Sequence, residues 1–300
     1  MDDSAFENAL HELRTDRVQG ASELARRCLD LLAASAQAVA ASESSELFDE
    51  LVRRCDRLIA ARPSMAPIHN LLTAWKSSLT QLDGSSLPEL RAAAAGRARE
   101  GIKRSKKAMV KVMENGAGYI GSGKTILTHS FSATVLGIFE RLRDRNIRVI
   151  VTESRPLNEG YMLARQLSDW SIPTQLITDA QLGLFATQAD LVLLGADSLL
   201  PDGSLVNKAG SYLLALAAHD KGIPLCVCCE SFKRRRAGLG KLHLEEMEGA
   251  ELGTPVLPGV KVRNIYFDVT PARLIDRWID EAGVHKTGIL SERAQGVSGR

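Results

Sequence analysis

Lys103-Arg-Ser-Lys-Lys-Ala-Met-Val-Lys-Val-Met-Glu-Asn-Gly-Ala-Gly-Tyr-Ile-Gly-Ser-Gly-Lys-Thr-Ile-Leu-Thr-His-Ser130 is the stretch in which the chain changes character. Its first part is basic and amphipathic, with Ile102, Met109, Val110 and Met113 toward one side, which predicts a helix running into a glycine stop. Thr125–Thr128 reads as a short strand. Between them, Gly118 to Thr125 fits the phosphate-loop spacing, and Gly116 to Gly121 fits the dinucleotide spacing. Both loops need a strand before the glycines and a helix after them, so that free amides point at phosphate. Here the order is inverted. The glycines are therefore expected to make an interdomain turn, and the nucleotide-hydrolase reading is set aside as the minor one.

Upstream, the sequence is rich in alanine, leucine, arginine and glutamate. Leu24, Cys28, Leu31 and Leu32 form one helical stripe; Leu47, Leu51, Cys55, Leu58 and Ile59 form another. Ser4, Ser44 and Ser86 suit helix starts, and Pro63 and Pro67 interrupt the pattern. Residues 1–115 are expected to form an antiparallel helical domain of about five helices. Residues 116–300 alternate short apolar runs with helical stretches. Strands are expected at 125–128, 148–153, 174–178, 191–195, 224–229 and 264–268, with helices near 132–145, 159–170, 180–187, 210–221 and 271–282. That alternation predicts an α/β unit with a doubly wound parallel sheet. Ligands of such sheets bind beyond the carboxyl ends of the strands. Those ends carry His129-Ser130, Glu153-Ser154-Arg155, Asp179, Ala196-Asp197 and Glu230-Ser231. The tail 296–300 is expected to fray.

The composition of the 300 residues excludes other classes. Hydrophobic residues make up 45% and charged residues 25%, ordinary values that argue against disordered or collagen-like chains. Lys plus Arg (38) nearly cancel Asp plus Glu (36), which gives no general reason to expect a nucleic-acid or membrane partner. Positive charge is local, at Lys103–Lys107 and Lys233–Arg236. The five cysteines are odd in number, with Cys226, Cys228 and Cys229 on one apolar run, where Cys226 and Cys228 should share a face. A reduced compartment fits them better than a disulfide framework. The acidic start lacks the order of a signal peptide, and no apolar run reaches the ~18 residues of a membrane span. A soluble, cytoplasmic protein is expected. His11, His69, His219, His243 and His285 show no metal-ligand spacing, and no metal or cofactor is expected.

Four stretches, in order, resemble one family. They are Ile126-Leu-Thr-His-Ser130, Val151-Thr-Glu-Ser-Arg-Pro156 with Gly160, Gly195-Ala-Asp197 followed by Asp202-Gly203 and Asn207-Lys208, and Phe267-Asp-Val-Thr-Pro271. The chain is similar over roughly residues 15–285 to the superfamily joining the regulatory subunits of initiation factor 2B to two sugar-phosphate isomerases. The isomerases act on methylthioribose 1-phosphate and ribose 1,5-bisphosphate. The resemblance implies a helical amino-terminal domain followed by a Rossmann-like carboxy-terminal domain. It also implies a homodimer through the latter, or a higher oligomer.

Carried over residue by residue, the resemblance implies a phosphorylated small-molecule ligand. Gly20 and Ala21 open a helix whose amides and dipole suit phosphate. Arg62 and Ser64, in Arg62-Pro-Ser64, match a second phosphate element, an arginine being able to make a forked contact; a surface salt bridge is the bland alternative for Arg62. Asn207 and Lys208 match the pair that holds the sugar phosphate, or else make a turn. Arg155 and Glu159 belong to the same substrate-binding set. Asp197 matches the catalytic aspartate that carries a proton between neighbouring sugar carbons. His129 serves either as a base or as a strut for the strand end.

Four departures pull away from turnover. The isomerases have a cysteine where this chain has Ser130, and an unassisted alcohol is a far weaker acid than a thiol of pKa about 8.5. Gln19 replaces an arginine before Gly20. Glu159 stands where the isomerases carry glutamine. Glu230-Ser-Phe-Lys233 reads like the regulatory subunits. The expectation is a protein binding a phosphorylated sugar or nucleotide. Its chemistry would be an aldose–ketose isomerisation of a pentose 1-phosphate; the alternative is a non-catalytic, exchange-factor-like regulatory subunit that senses sugar phosphates.

Overall fold

Asp2 begins the first helix by accepting the Ala5 amide at 2.8 Å, which satisfies one of the donors a helix start leaves free. The helices that follow are α1 (Asp3–Thr15), α2 (Ala21–Ala38), α3 (Ser44–Ala61), α4 (Ala66–Leu79) and α5 (Leu87–Ile120). Ser86 precedes α5, and its hydroxyl and amide both donate to Glu89, at 2.7 and 2.9 Å. The computed structural model describes residues 1–16, 19–82, 84–236, 242, 244–255 and 257–286; His243 and the tail 296–300 lie outside them. No helix among the described residues is long and apolar enough to cross a membrane.

The chain divides into two compact units. One is Met1–Ala108 with Phe232–Arg235; the other is Met109–Ser231 with Arg236–Arg300. The helical unit buries the two apolar stripes of α2 and α3, with Leu24, Cys28, Leu32, Leu47, Leu51 and Leu58 all inaccessible. Segment 232–235 belongs to it because Asn70 Nδ2 donates to the carbonyls of Phe232 and Arg234, at 2.7 and 2.6 Å.

The glycine stop is misplaced in the sequence reading. Gly116 and Gly118 lie inside α5, which runs across position 115 to Ile120. Gly116 permits close packing: a Cβ there would sit 2.6 Å from Ile138 Cδ1. The helix ends instead at Gly121, whose φ of 74° is the left-handed conformation glycine adopts without cost. A loop and then a strand follow, the reverse of a phosphate loop.

The second unit begins with β1 (Thr125–Thr128), α6 (Ala133–Leu142), β2 (Arg148–Thr152), α7 (Glu159–Asp169), β3 (Thr174–Ile177), α8 (Leu182–Phe185) and β4 (Leu191–Leu194). It continues with β5 (Ser198–Leu199), β6 (Leu205–Lys208), α9 (Ser211–Asp220), β7 (Leu225–Cys228), β8 (Phe267–Thr270), β9 (Arg277–Asp280) and β10 (Gly283–Lys286). Seven strands form one sheet in the order β10-β9-β7-β4-β1-β2-β3, parallel except for β10. Successive strand residues face opposite cores. Ile126, Val149, Leu193 and Cys226 join α6 and α7 on one side; Leu127, Ile150, Val192 and Val227 join α8 and α9 on the other. Cys226 and Cys228 share a face, opposite Cys229.

Two carboxy-terminal expectations need correction. The helix expected over 271–282 is mainly the strand β9, with one 3-10 turn at Ala272–Leu274 before it. Ile275, Trp278 and Ile279 have helical spacing, but pairing beside β7 overrides it and sends Trp278 and Ile279 to opposite cores. The strand expected at 264–268 is β8, shifted to 267–270. It pairs not with the parallel sheet but with β6, in a three-stranded antiparallel sheet of order β5-β6-β8.

Candidate functional site

The strand order reverses between β1 and β4, which pair directly through Ile126–Leu191 and Leu127–Val192. Open α/β sheets offer their ligand crevice at such a reversal, beyond the carboxyl ends. His129-Ser130 leaves β1 there, and Gly195-Ala196-Asp197 leaves the neighbouring β4. The Thr128 hydroxyl ties the two ends together by donating to the Leu193 carbonyl at 2.8 Å.

His129 is buried and its ring is fully committed. Nε2–H donates to the Ala209 carbonyl at 2.9 Å, so Nδ1 must accept, and it does so from the Thr152 hydroxyl at 2.6 Å. Burial pushes the imidazole below its ordinary pKa, against the opposing pulls of the Ala209 carbonyl and the Asp179 charge. Thr152 in turn meets Ser154 Oγ at 2.9 Å, and that oxygen accepts the Ser130 amide at 2.7 Å. One directed chain thus runs from the Ser130 amide through Ser154 and Thr152 to His129. Asp179 anchors the next corner by accepting the amides of Ser154 and Arg155, at 2.9 and 2.8 Å. Ser130 and Ser154 have φ of 66° and 60°, a left-handed geometry costing on the order of 1–2 kcal/mol per residue, which the network holds in place. Gly210 completes the arrangement: a Cβ there would lie 2.7 Å from His129 Nε2.

The antiparallel sheet brings the second group. Lys208, at the end of β6, puts Nζ 2.6 Å from Glu159 Oε1 and 4.2 Å from the centre of the Tyr266 ring. Asn207 Nδ2 donates to the Ser211 hydroxyl at 2.8 Å, and that hydroxyl donates to the Lys208 carbonyl at 2.7 Å. Opposite Asn207 on β8 stands Asp268, whose Oδ2 accepts the amides of Gly210 and Tyr212 at 2.7 and 3.1 Å and so occupies the start of α9. Burial raises the Asp268 carboxyl above its ordinary pKa, against the opposing effect of those two amides. Four buried polar atoms here have no hydrogen-bond partner: Asn158 Oδ1, Glu159 Oε2, Asp268 Oδ1 and Thr270 Oγ1.

Of the residues expected from the sequence, His129 and Ser130 are joined by the hydroxyl chain, and Glu159, Asn207 and Lys208 cluster on α7 and β6. The Asp197 amide donates to the Val206 carbonyl at 3.0 Å, where β5 and β6 begin to pair. The Arg155 guanidinium donates to the Leu252 carbonyl at 2.7 Å and remains exposed. In the helical unit, Gly20 is the exposed N-cap of α2 and Ala21 its buried first residue. Arg62 and Ser64 are buried, with Arg62 Nη1 donating to the Asp16 carbonyl at 3.0 Å. Thr152, Tyr266 and Asp268 join the site without a site signal of their own in the sequence. Thr152 ends a strand, and Tyr266 and Asp268 fall in a segment expected to serve the other sheet. Among the described residues no cluster of His, Cys, Asp or Glu could hold a metal ion.

The model of the initiation factor 2 subunit family matches residues 17–287. A Pyrococcus furiosus protein named as a translation initiation factor eIF-2B subunit 2-like protein is 36% identical, over 92% of this chain and 94% of its own length. Ribose 1,5-bisphosphate isomerase of Archaeoglobus fulgidus is 33% identical, over 92% of this chain and 88% of its own. Among solved structures, Pyrococcus horikoshii OT3 translation initiation factor eIF-2B superposes with a TM-score of 0.80 at 34% identity, over 95% of this chain and 97% of that one. The 5-methylthioribose 1-phosphate isomerase of the same organism shares the fold, with a TM-score of 0.79 at 22% identity, over 98% and 88%.

Proposed function

Since the chain belongs to the initiation factor 2 subunit family, we propose that it binds a phosphorylated pentose at the reversal between β1 and β4. The observation that carries this reading is the pairing of β1 with β4, whose ends lead directly into Ser130 and Asp197. A carboxylate there can move a proton between neighbouring carbons of a sugar, the step an aldose–ketose isomerisation requires. The two isomerases among the relatives act on ribose 1,5-bisphosphate and 5-methylthioribose 1-phosphate. A pentose 1-phosphate is the corresponding substrate class for this chain, with Asp197 as the acid–base group.

One observation favours a second reading, binding without turnover. Both ring nitrogens of His129 are spent on Thr152 and Ala209, so this histidine has no vacant nitrogen to take a proton from Ser130. A metabolite-sensing regulatory subunit needs only the pocket. Exposed Leu184 and Leu213 on α8 and α9 offer an apolar surface for a second copy in either case.

Incubating the purified protein with ribose 1,5-bisphosphate and 5-methylthioribose 1-phosphate, and following ketose formation by NMR, separates the readings. Turnover lost in Asp197→Asn supports the isomerase. Thermal stabilisation without turnover supports the sensor, with about 2.7 kcal/mol expected at 100-fold saturation. Neither turnover nor stabilisation overturns both.

A further inference from the structure

On α3 and α4 the exposed and half-exposed cations meet carboxylates: Arg53 with Glu50, Arg57 with Glu7 and Lys76 with Asp56. One face of α5 departs from this. Arg99, Lys103, Arg104, Lys106 and Lys107 are exposed, and none of them has an ion pair among the described residues. Glu100 stands three and four residues before Lys103 and Arg104, the spacing at which helical pairs form, and pairs with neither. At 3.6 residues per turn, Arg99, Lys103, Lys106 and Lys107 fall within about 100° of arc and span about 12 Å of helix axis. The face cannot turn inward. Ala94, Ala98 and Ile102 hold the opposite side in the helical core, and buried Ser105 accepts Arg26 Nη1 at 3.2 Å. Like charges at these spacings repel and weaken the helix, a cost that an anionic partner would relieve. The chain's total of +2 conceals this because the charge is local.

We propose that this face of α5 binds double-stranded nucleic acid through its phosphate backbone. A duplex carries one negative charge per ~1.7 Å, so about seven phosphates lie along the length of the stripe. Between Arg99 and Lys107 no apolar side chain is exposed. A protein partner would want apolar or aromatic anchors at the centre of its interface, and a membrane surface would want an apolar face beside the charge. Single strands are held largely by stacking on aromatic rings, and the stretch contains none. Phosphates need only the cations. Contacts of this kind carry no sequence information, so the binding is indifferent to base order. The proposal stands apart from the phosphopentose reading and does not depend on it.

The test is fluorescence anisotropy of a labelled duplex, as RNA and as DNA of the same sequence, titrated with the full chain. With five contacts, the affinity for the DNA duplex should fall about 500-fold between 50 and 200 mM salt, a logarithmic slope of about −4.5. The triple variant Lys103→Gln, Lys106→Gln, Lys107→Gln should bind at least about tenfold more weakly at 50 mM salt, with a slope shallower by about 2.7. These side chains are exposed, so its thermal midpoint should match wild type. A control triple, Arg53→Gln, Arg57→Gln and Lys76→Gln, removes as many positive charges from the paired surface of the same unit. It should bind within about threefold of wild type. Binding of neither duplex at 50 mM salt overturns the proposal. So does an equal loss in the two triple variants, which would trace the attraction to total charge. Tighter binding of poly-glutamate than of either duplex would assign the face to an acidic protein and overturn it as well.

Discussion

Two polar clusters in the α/β unit differ in how completely they are satisfied. Beyond β1 and β2, the ring nitrogens of His129 and the hydroxyls of Thr152 and Ser154 are all engaged, and Asp179 accepts two amides. Around β6, β8 and the start of α7, four buried oxygens lack a hydrogen bond. A closed hydrogen-bond circuit fixes geometry. An open one is less stable by itself and is where a ligand can add donors. The first cluster therefore holds the strand ends in position, and the second is left with acceptors that lack donors.

The contrast can be broken most forcefully at Gly160, where a Cβ would meet the Thr152 carbonyl oxygen at 1.7 Å. Gly160→Ala must displace backbone in the closed cluster, and a loss of about 4 kcal/mol or more is expected in urea unfolding. A wild-type-like midpoint would mean that this corner is not held as described. Next comes the open cluster. Lys208→Met leaves Glu159 buried and uncompensated, which should cost about 3 kcal/mol. Adding Glu159→Gln should restore most of that, giving a coupling that a double-mutant cycle reads directly. Independent, additive costs would deny the pair.

The smallest effect is in pH. His129 is neutral and held below its ordinary pKa of about 6.5. Below that value the unfolded chain takes up a proton that the folded chain refuses. The stability contribution is therefore complete above about pH 6.5 and lost as pH falls toward the lowered folded value, at up to about 1.4 kcal/mol per unit. In His129→Gln that part of the slope between pH 7 and pH 5 should flatten; an unchanged slope would place the titration elsewhere.

The sequence made some of this legible and hid the rest. The central strands could be read because each is a continuous apolar run buried on both faces, as Leu191–Leu194 and Leu225–Cys228 are. The strand ends could be read because polar residues follow those runs. The β5–β6 hairpin could not, since Ser198-Leu199 is too short to show alternation, and so Asn207-Lys208 could pass for a turn. β9 was obscured by an accidental helical spacing. The state of His129 was illegible for another reason: which nitrogen carries the proton depends on the Ala209 carbonyl, 80 residues away in sequence. The Glu159–Lys208 pair likewise joins a helix start to a strand in a different sheet. Local pattern carries no trace of such contacts.

The short segment 232–235 has a consequence for how this protein can be taken apart or recombined. Because it leaves the α/β unit, serves the helical one and returns, the backbone passes between units at three places rather than one. No single cut separates them. Residues 1–108 made alone would lack the carbonyls of Phe232 and Arg234 that the Asn70 amide uses, so the isolated piece would carry a stranded donor. Swapping the amino-terminal helical part between relatives by one crossover near residue 108 would likewise mate one protein's Asn70 with another's 232–235. A workable chimera needs a second exchange at that tetrapeptide.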